Sequence, residues 1–267
     1  SKITLTDPPQ MPREVLRALK KGIDGTFREF SRGYGEAIEN FFHPLLMFLK
    51  WFQDLLIETP WPLILVILGA LSWWGSRSWK MVVGTVVAFL FIGWLDMWED
   101  TMATLAIVSV ATLLCIAIGI PIGILMARSD RVQAMILPVL DIMQTIPSFV
   151  YLIPVVMLLG IGKVPGLLAV MIYAIPPIVR LTNLGIRLVD KEVLEAADAF
   201  GSSYWQKLFQ VQIPLALPNI FAGVNQTIMM ALSMVVIAAM IGVPGLGVPV
   251  LRAVSNQYLA LGVMNGL

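Results

Sequence analysis

The feature of this sequence that most restricts its fold is the length of its segments without charged residues. Before Arg252, six stretches of 15 or more residues contain no Asp, Glu, Lys or Arg: residues 59–76, 81–95, 101–127, 142–162, 164–179 and 208–251. A helix that crosses the roughly 30 Å hydrocarbon core of a bilayer needs about 20 mainly apolar residues. Only 13% of the chain is charged and 58% is hydrophobic, whereas soluble domains carry about 25% charged residues. The sequence therefore predicts an all-α, polytopic integral membrane protein.

Adding flanking residues to each stretch predicts six membrane spans. They lie near residues 60–75, 79–95, 101–127, 132–160, 164–186 and 219–242. Residues 1–40 are predicted to form a polar tail, and residues 41–58 an amphipathic helix in the membrane interface. Two N-terminal spans then occupy residues 59–98, and residues 99–267 form the core of the protein.

The distribution of Lys and Arg predicts the orientation, because short basic loops stay in the cytoplasm. Eight basic residues fall on one side of the alternating spans: Arg77, Lys80, Arg128, Arg131, Arg180, Arg187, Lys191 and Lys207. The other side has only Lys163 and Arg252. The loop 187–218 is therefore predicted to be cytoplasmic and the N-terminal tail extracytoplasmic.

Several kinds of chemistry lack the residues that they need. A phosphate-binding loop requires Gly-Lys followed by Ser or Thr, but Val164 follows Gly162-Lys163. Cys115 and His43 are the only residues of their types, which excludes a Cys and His metal site. The net charge of +1 gives no reason to expect a nucleic acid partner. We predict a chain with no catalytic site, metal or cofactor of its own.

The predicted cytoplasmic loop contains a short helix with an apolar stripe. Asp190 can cap its start, and Gly201 can end it in the left-handed conformation. The stripe, at helical spacing, consists of Val193, Ala196, Ala197 and Phe200. A helix of two turns is not stable alone, so this one needs a surface to dock into. The alternative is an ordinary amphipathic loop helix.

The same loop resembles the EAA loop of ABC importer permeases, EAA-x3-G-x9-I-x-L-P. The matching residues are Glu195-Ala196-Ala197, Gly201 and Val211-x-Ile213-Pro214, with Val and Ile replacing Ile and Leu. The segments 144–154, 174–186, 223–227, 231–242 and 244–247 are also similar to permeases of glycine betaine/proline importers, which have a MetI-like transmembrane domain. The similarity covers roughly residues 40–267.

This resemblance implies a permease in the bacterial inner membrane that imports glycine betaine or a related osmolyte by alternating access. It further implies a second copy of the permease, two ATPase subunits that bind ATP and Mg, and an extracytoplasmic substrate-binding protein. The ATPase-coupling residues would be Glu195, Ala196, Ala197, Phe200, Gly201 and Pro214. Such permeases have one more span after the segment that ends at Leu267.

Two groups of polar residues are candidates for the substrate pathway. The first lies on one face of the last predicted span: Asn225, Gln226, Met229 and Ser233. Alternatively, its amides join neighbouring helices by hydrogen bonds. The second surrounds a predicted helix break caused by Pro147 and Pro154: Gln144, Thr145, Ser148 and Tyr151. Its alternative is a packed kink.

Asp141 is the one carboxylate inside a predicted span, where it can contact a quaternary ammonium or pair with a basic residue. The tryptophans at the span ends are interpreted as an aromatic belt rather than a cation–π cage: Trp51, Trp61, Trp73, Trp74, Trp79, Trp94 and Trp98.

Two alternative functions remain open. One is a secondary transporter or channel that needs no ATPase, although few intramembrane acids are present for ion coupling. The other is the same permease core with another cargo, such as choline, carnitine, proline, trimethylamine N-oxide or taurine.

Overall fold

The computed structural model describes residues 12–266, which form helices joined by short turns. The α-helices are α1 (Arg13–Glu58), α2 (Trp61–Ser76), α3 (Trp79–Trp94), α4 (Trp98–Arg128), α5 (Asp130–Thr145), α6 (Leu152–Leu159), α7 (Lys163–Arg187), α8 (Lys191–Ala199), α9 (Tyr204–Gln206), α10 (Ile213–Ala238), α11 (Gly247–Asn256) and α12 (Leu259–Gly266). Short 3-10 helices occupy Ser148–Tyr151 and Ala239–Ile241, and a π-helix occupies Lys207–Gln212. No β-strand occurs in residues 12–266, and the prediction of an all-α protein is confirmed.

Three helical segments of the described chain are long and apolar enough to cross a membrane individually. They are α4, α7 and the continuous segment Tyr204–Ile241, which includes α10. The count reaches five if each of two bent helix pairs is one span. The predicted spans near 60–75 and 79–95 correspond to α2 and α3, which have 16 residues each and are therefore only about 24 Å long.

The predicted span at 132–160 is not one straight helix. α5 ends at Thr145, and the segment Ser148–Leu159 continues at an angle of 109° to it. Ile146 is extended, with ψ of 130°, because a residue that precedes proline is disfavoured in the helical region. Pro147 therefore breaks the helix as predicted. Pro154 does not, because it is the third residue of α6 and the segment remains helical on both sides of it.

The N-terminal region also differs from the prediction. Residues 13–40 are not a separate tail but the first part of α1, which runs unbroken to Glu58; residues 1–11 lie outside the described chain. The polar part of α1 contains four Glu and four Arg, which are good helix formers, and it stays helical despite four Gly. The Asn40–Glu58 part makes an angle of 108° with α2. It would therefore lie nearly parallel to the membrane if α2 follows the membrane normal.

The core consists of α4, α7 and α10, which approach each other through glycines. A Cβ atom at Gly123 of α4 would lie 2.6 Å from the Thr182 Cβ and 2.8 Å from the Val179 carbonyl oxygen of α7. A Cβ atom at Gly185 of α7 would lie 2.8 Å from the Asn219 Cβ of α10. Small residues allow such backbone contact between membrane helices, where van der Waals packing drives association.

The second half of α1 packs on this core. Leu49 is buried in the main apolar cluster, and Leu45 and Phe52 pack against it. The Lys163 Nζ donates a hydrogen bond of 2.6 Å to the Gln53 Oε1, which joins the start of α7 to α1. The core thus positions both the loop after α7 and the free face of α10.

Candidate functional site

The loop between α7 and α10 contains the predicted short helix, α8, with both of its predicted caps. The Asp190 carboxylate accepts a hydrogen bond of 3.0 Å from the Glu192 backbone N–H at the first turn. At the other end Gly201 has a φ of +76°. The Ser202 N–H donates to the Ala197 carbonyl at 3.0 Å and the Gly201 N–H to the Asp198 carbonyl at 2.9 Å. These bonds form a Schellman motif, so α8 ends at a fixed position.

The predicted apolar stripe of α8 is exposed to solvent. Val193, Ala196 and Phe200 are exposed and Ala197 is half-buried. The Phe200 ring is 91% exposed, so almost none of its surface contacts the rest of this chain. Glu195 is exposed on the same short helix. The arrangement leaves an apolar side of α8 available to another protein.

The segment after α8 connects it firmly to α10. The Lys207 Nζ lies 2.6 and 2.7 Å from the two carboxylate oxygens of Asp198. The Ser203 and Gln206 side chains form a capping box at the start of α9. A π-helix then leads directly into α10, whose second residue, Pro214, has no N–H to donate to the preceding turn. The helical segment is continuous from Tyr204 to Ile241, so a displacement of α8 can reach the core.

A second contact joins this segment to the end of α4. The Arg128 guanidinium carbon lies 4.2 Å from the centre of the Tyr204 ring and 5.5 Å from that of Trp205, which is cation–π geometry. The sequence prediction missed both this contact and the Asp198–Lys207 pair. The pattern Ser203-x-x-Gln206 was a detectable signal, because a Ser followed three residues later by Gln marks a helix start.

The first candidate pathway group lies on one free face of α10. Asn225, Gln226, Met229 and Ser233 are all exposed in this chain, and we call them the α10 polar face. The Ser233 Oγ donates to the Met229 carbonyl of its own helix at 3.0 Å. Within residues 12–266, the Asn225 and Gln226 side chains make no hydrogen bond to another residue. The structure therefore does not support the alternative in which these amides form hydrogen bonds to a neighbouring helix of the same chain.

The second candidate group is at the helix break, and half of it is used internally. The Thr145 Oγ1 donates to the Ile142 carbonyl at 3.0 Å, and the Tyr151 hydroxyl donates to the Met143 carbonyl. Gln144 is exposed and Ser148 is half-buried. The Tyr151 ring also packs edge-to-face on Tyr173, with centroids 6.4 Å apart. These contacts favour the interpretation of this group as a packed kink.

Asp141 has a basic partner. Its Oδ1 lies 2.5 Å from the Arg180 Nη2 and joins α5 to α7. The Asp141 side chain is 62% exposed and that of Arg180 is 32% exposed, while the Arg180 Nε is buried without a hydrogen-bond partner among the described residues. No group of three His, Cys, Asp or Glu residues in the described chain could hold a metal ion. The ion pair supports a structural role for Asp141.

Comparisons with known proteins identify the family. Residues 119–264 match the family described as binding-protein-dependent transport system inner membrane component. The chain is 49% identical over 224 residues to the glycine betaine/proline betaine transport system permease protein ProW of Escherichia coli, covering 84% of this chain and 63% of ProW. The chain thus spans less than two thirds of the length of that relative.

Other relatives match over nearly their full length. The glycine betaine/carnitine transport permease protein GbuB of Listeria monocytogenes is 44% identical, with 97% of this chain and 92% of GbuB covered. The glycine betaine transport system permease protein OpuAB of Bacillus subtilis is 40% identical, with 97% and 89% covered. Among solved structures, the inward-facing MetNI methionine ABC transporter matches with a TM-score of 0.58 at 20% identity, covering 65% of this chain and 87% of that chain. This likeness shows the fold of the core.

Proposed function

Because the chain belongs to the binding-protein-dependent transport system inner membrane components, we propose that it is the permease of an ATP-driven importer of glycine betaine or a related quaternary-amine osmolyte. It is a multi-pass membrane protein. In this proposal two copies of the permease work with two ATPase subunits, which bind ATP and Mg, and with an extracytoplasmic binding protein. The permease itself makes and breaks no covalent bond.

The observation that carries the proposal is the capped helix α8 with its exposed apolar side. Phe200 is 91% exposed, and a helix of nine residues is too short to be stable without tertiary contacts. A groove on the cytoplasmic ATPase subunit would cover this side. Closure of two ATPases would then move α8 and, through the Asp198–Lys207 pair and the continuous helix after it, the core helix α10.

The α10 polar face supports the second copy and the pathway. Asn225 and Gln226 lie on a membrane-spanning helix and are exposed in a single chain. Amide groups that face lipid without partners are unfavourable, so polar residues in spans face other helices or a water-filled cavity. We place this face at the interface between two permeases, around an aqueous pathway. The face has no charge, which suits a zwitterion that must pass without tight binding.

The relatives support the proposed cargo, since their names include glycine betaine, proline betaine and carnitine. A trimethylamine N-oxide permease of Ruegeria pomeroyi is 38% identical over 197 residues. In all four compounds the nitrogen has four carbon or oxygen substituents and therefore no N–H to donate. The orientation that the basic residues predict, with the loop 187–218 in the cytoplasm, places α8 on the side where ATP is available.

Reconstituted transport tests the proposal. Vesicles that contain the permease, its ATPase and its binding protein should accumulate radiolabelled glycine betaine only when ATP is on the ATPase side. An ATPase variant that binds but does not hydrolyse ATP should abolish uptake. Uptake that persists with this variant, and that follows an ion gradient, would instead support a secondary transporter. Competition by unlabelled choline, carnitine, proline, taurine and trimethylamine N-oxide would identify the cargo.

Glycine at 201 provides a further check on the role of α8. Gly201 has a φ of +76° and its N–H is hydrogen bonded to Asp198, whereas proline requires a φ near −65° and has no N–H. Gly201→Pro should therefore displace the end of α8 and lower uptake per ATP hydrolysed. Glu195→Arg, at an exposed position, should also lower uptake per ATP hydrolysed, without disturbing the fold.

A further inference from the structure

Three tryptophans from two separate parts of the sequence line one cavity in the N-terminal part of the structure. The cavity has a volume of about 570 Å³ and lies where the bend between α1 and α2 meets the connection between α3 and α4. Trp61, Trp94 and Trp98 contribute to its wall together with Phe89 and Glu58. Small-molecule sites usually have volumes of about 300–1,000 Å³, so the cavity can hold a ligand of that class.

The aromatic rings are arranged around open space. Trp94 is 80% exposed and Trp61 is also exposed, while Phe89 and Trp98 pack edge-to-face with centroids 6.4 Å apart. The faces of Trp and Phe rings attract cations, and the attraction is strongest for Trp.

The charges around the cavity have one sign. Glu58 lines it, and Asp96, Glu99 and Asp100 lie in or next to the connection between α3 and α4. None of the eleven residues that line the cavity in the described chain is basic. Arg77 and Lys80 lie at the opposite ends of α2 and α3, about 24 Å away along helices of 16 residues.

We propose that this cavity is a binding site for a quaternary ammonium cation of the choline type. Its methyl groups would contact the rings of Trp61, Trp94, Trp98 and Phe89, and Glu58 would balance its charge. A ligand with a carboxylate close to the nitrogen, such as glycine betaine, would bind less well because Glu58 repels it and no basic residue lines the cavity. The site is distinct from the α10 polar face and does not depend on the proposed transport function.

Two sources can supply this chemistry, namely free choline and the headgroup of a choline lipid. The predicted orientation places the cavity at the extracytoplasmic surface of the membrane, where both can reach it. The aromatic belt interpretation of these tryptophans accounts for their depth in the membrane but not for their convergence with Glu58.

Binding can be measured on the full chain in nanodiscs of phosphatidylglycerol, which contain no ammonium headgroup. Choline should bind at least about tenfold more tightly than 3,3-dimethyl-1-butanol, its uncharged isostere, because the isostere lacks the cation–π and carboxylate attraction. Choline should also bind more tightly than glycine betaine. Equal binding of choline and the isostere would show a merely apolar cavity and overturn the proposal, as would no binding of choline.

Matched variants locate the site. Glu58→Gln and Trp98→Leu should each weaken choline binding by about tenfold. Glu192→Gln, an exposed carboxylate on α8, and Trp74→Leu, an exposed tryptophan outside the cavity, should leave it unchanged. If the controls weaken binding as much as the cavity variants, choline binds elsewhere. If Trp98→Leu does not fold, the proposal is tested by Glu58→Gln and by the comparison of choline with its uncharged isostere.

A second series of nanodiscs separates the two sources. Phosphatidylcholine added to the bilayer should reduce the apparent affinity for free choline if the lipid headgroup occupies the cavity. This competition should disappear in Glu58→Gln. An unchanged affinity in phosphatidylcholine nanodiscs, with the predicted loss in Glu58→Gln, would identify free choline as the ligand.

Discussion

The exposed ring of Phe200 gives a prediction in which stability and assembly respond differently to one substitution. The ring is 91% exposed in the single chain and contributes almost nothing to its packing. Substitutions at such positions usually change the free energy of unfolding by less than about 0.5 kcal/mol. Phe200→Ala should therefore leave the stability of the permease unchanged.

Docking of α8 into an ATPase groove would bury the ring. Full burial of a Phe side chain contributes about 1.5–3 kcal/mol, and truncation of a central aromatic residue in an interface commonly costs 2 kcal/mol or more. Phe200→Ala should therefore weaken ATPase binding by about 2–3 kcal/mol, which corresponds to about a 30- to 150-fold increase in Kd.

The measurement is the binding of purified ATPase subunits to permease in nanodiscs, with thermal unfolding followed on the same samples. The control is Phe91→Ala, because Phe91 is also exposed but lies on α3, away from the loop. An unchanged Kd for Phe200→Ala would refute the reasoning. A large loss of stability would refute it as well, since it would show that the ring packs inside the permease.

Three other substitutions test the core, the ion pair and the pathway. Gly123→Ala should destabilise the fold by about 1–3 kcal/mol, since its Cβ would approach the Val179 carbonyl oxygen to 2.8 Å. Faster maleimide labelling of the buried thiol of Cys115 would report this, while Gly84→Ala, with open space around it, should label slowly. Asp141→Asn and Arg180→Gln should each lower the free energy of unfolding, and the double variant should lose about 1 kcal/mol less than the sum of the two single losses. Strict additivity in this double-mutant cycle would show that the two side chains do not interact. Asn225→Leu and Gln226→Leu should slow glycine betaine uptake about tenfold or more while ATP hydrolysis continues, and normal uptake in both would remove the α10 polar face from the pathway.

Local sequence signals predicted the features that depend on a few neighbouring residues. The capping of α8 by Asp190 and Gly201 was predictable because each cap needs one residue type at one position. The helices of the membrane core were predictable because stretches of 16 or more residues without charge have few other structures available in a bilayer. The coupling and pathway roles of the residues themselves remain predictions.

Features that depend on distant residues were not predictable in the same way. The partner of Asp141 lies 39 positions away at Arg180, and no local pattern indicates which basic residue will meet a carboxylate. The spacing Gly119-x-x-x-Gly123 on α4 is a signal for close helix packing that the sequence prediction did not use. The sequence also did not indicate that Trp61, Trp94 and Trp98 line one cavity, because their proximity depends on how α1, α2, α3 and α4 pack.

The central claim is that a cytoplasmic ATPase subunit holds α8 during transport. A photoreactive amino acid in place of Ala196, which is exposed on α8, tests it in working vesicles. The account predicts a covalent product of permease and ATPase from position 196 and none from position 113, where Leu113 is exposed on α4. A crosslink from position 196 only to lipid or to the binding protein would contradict the account.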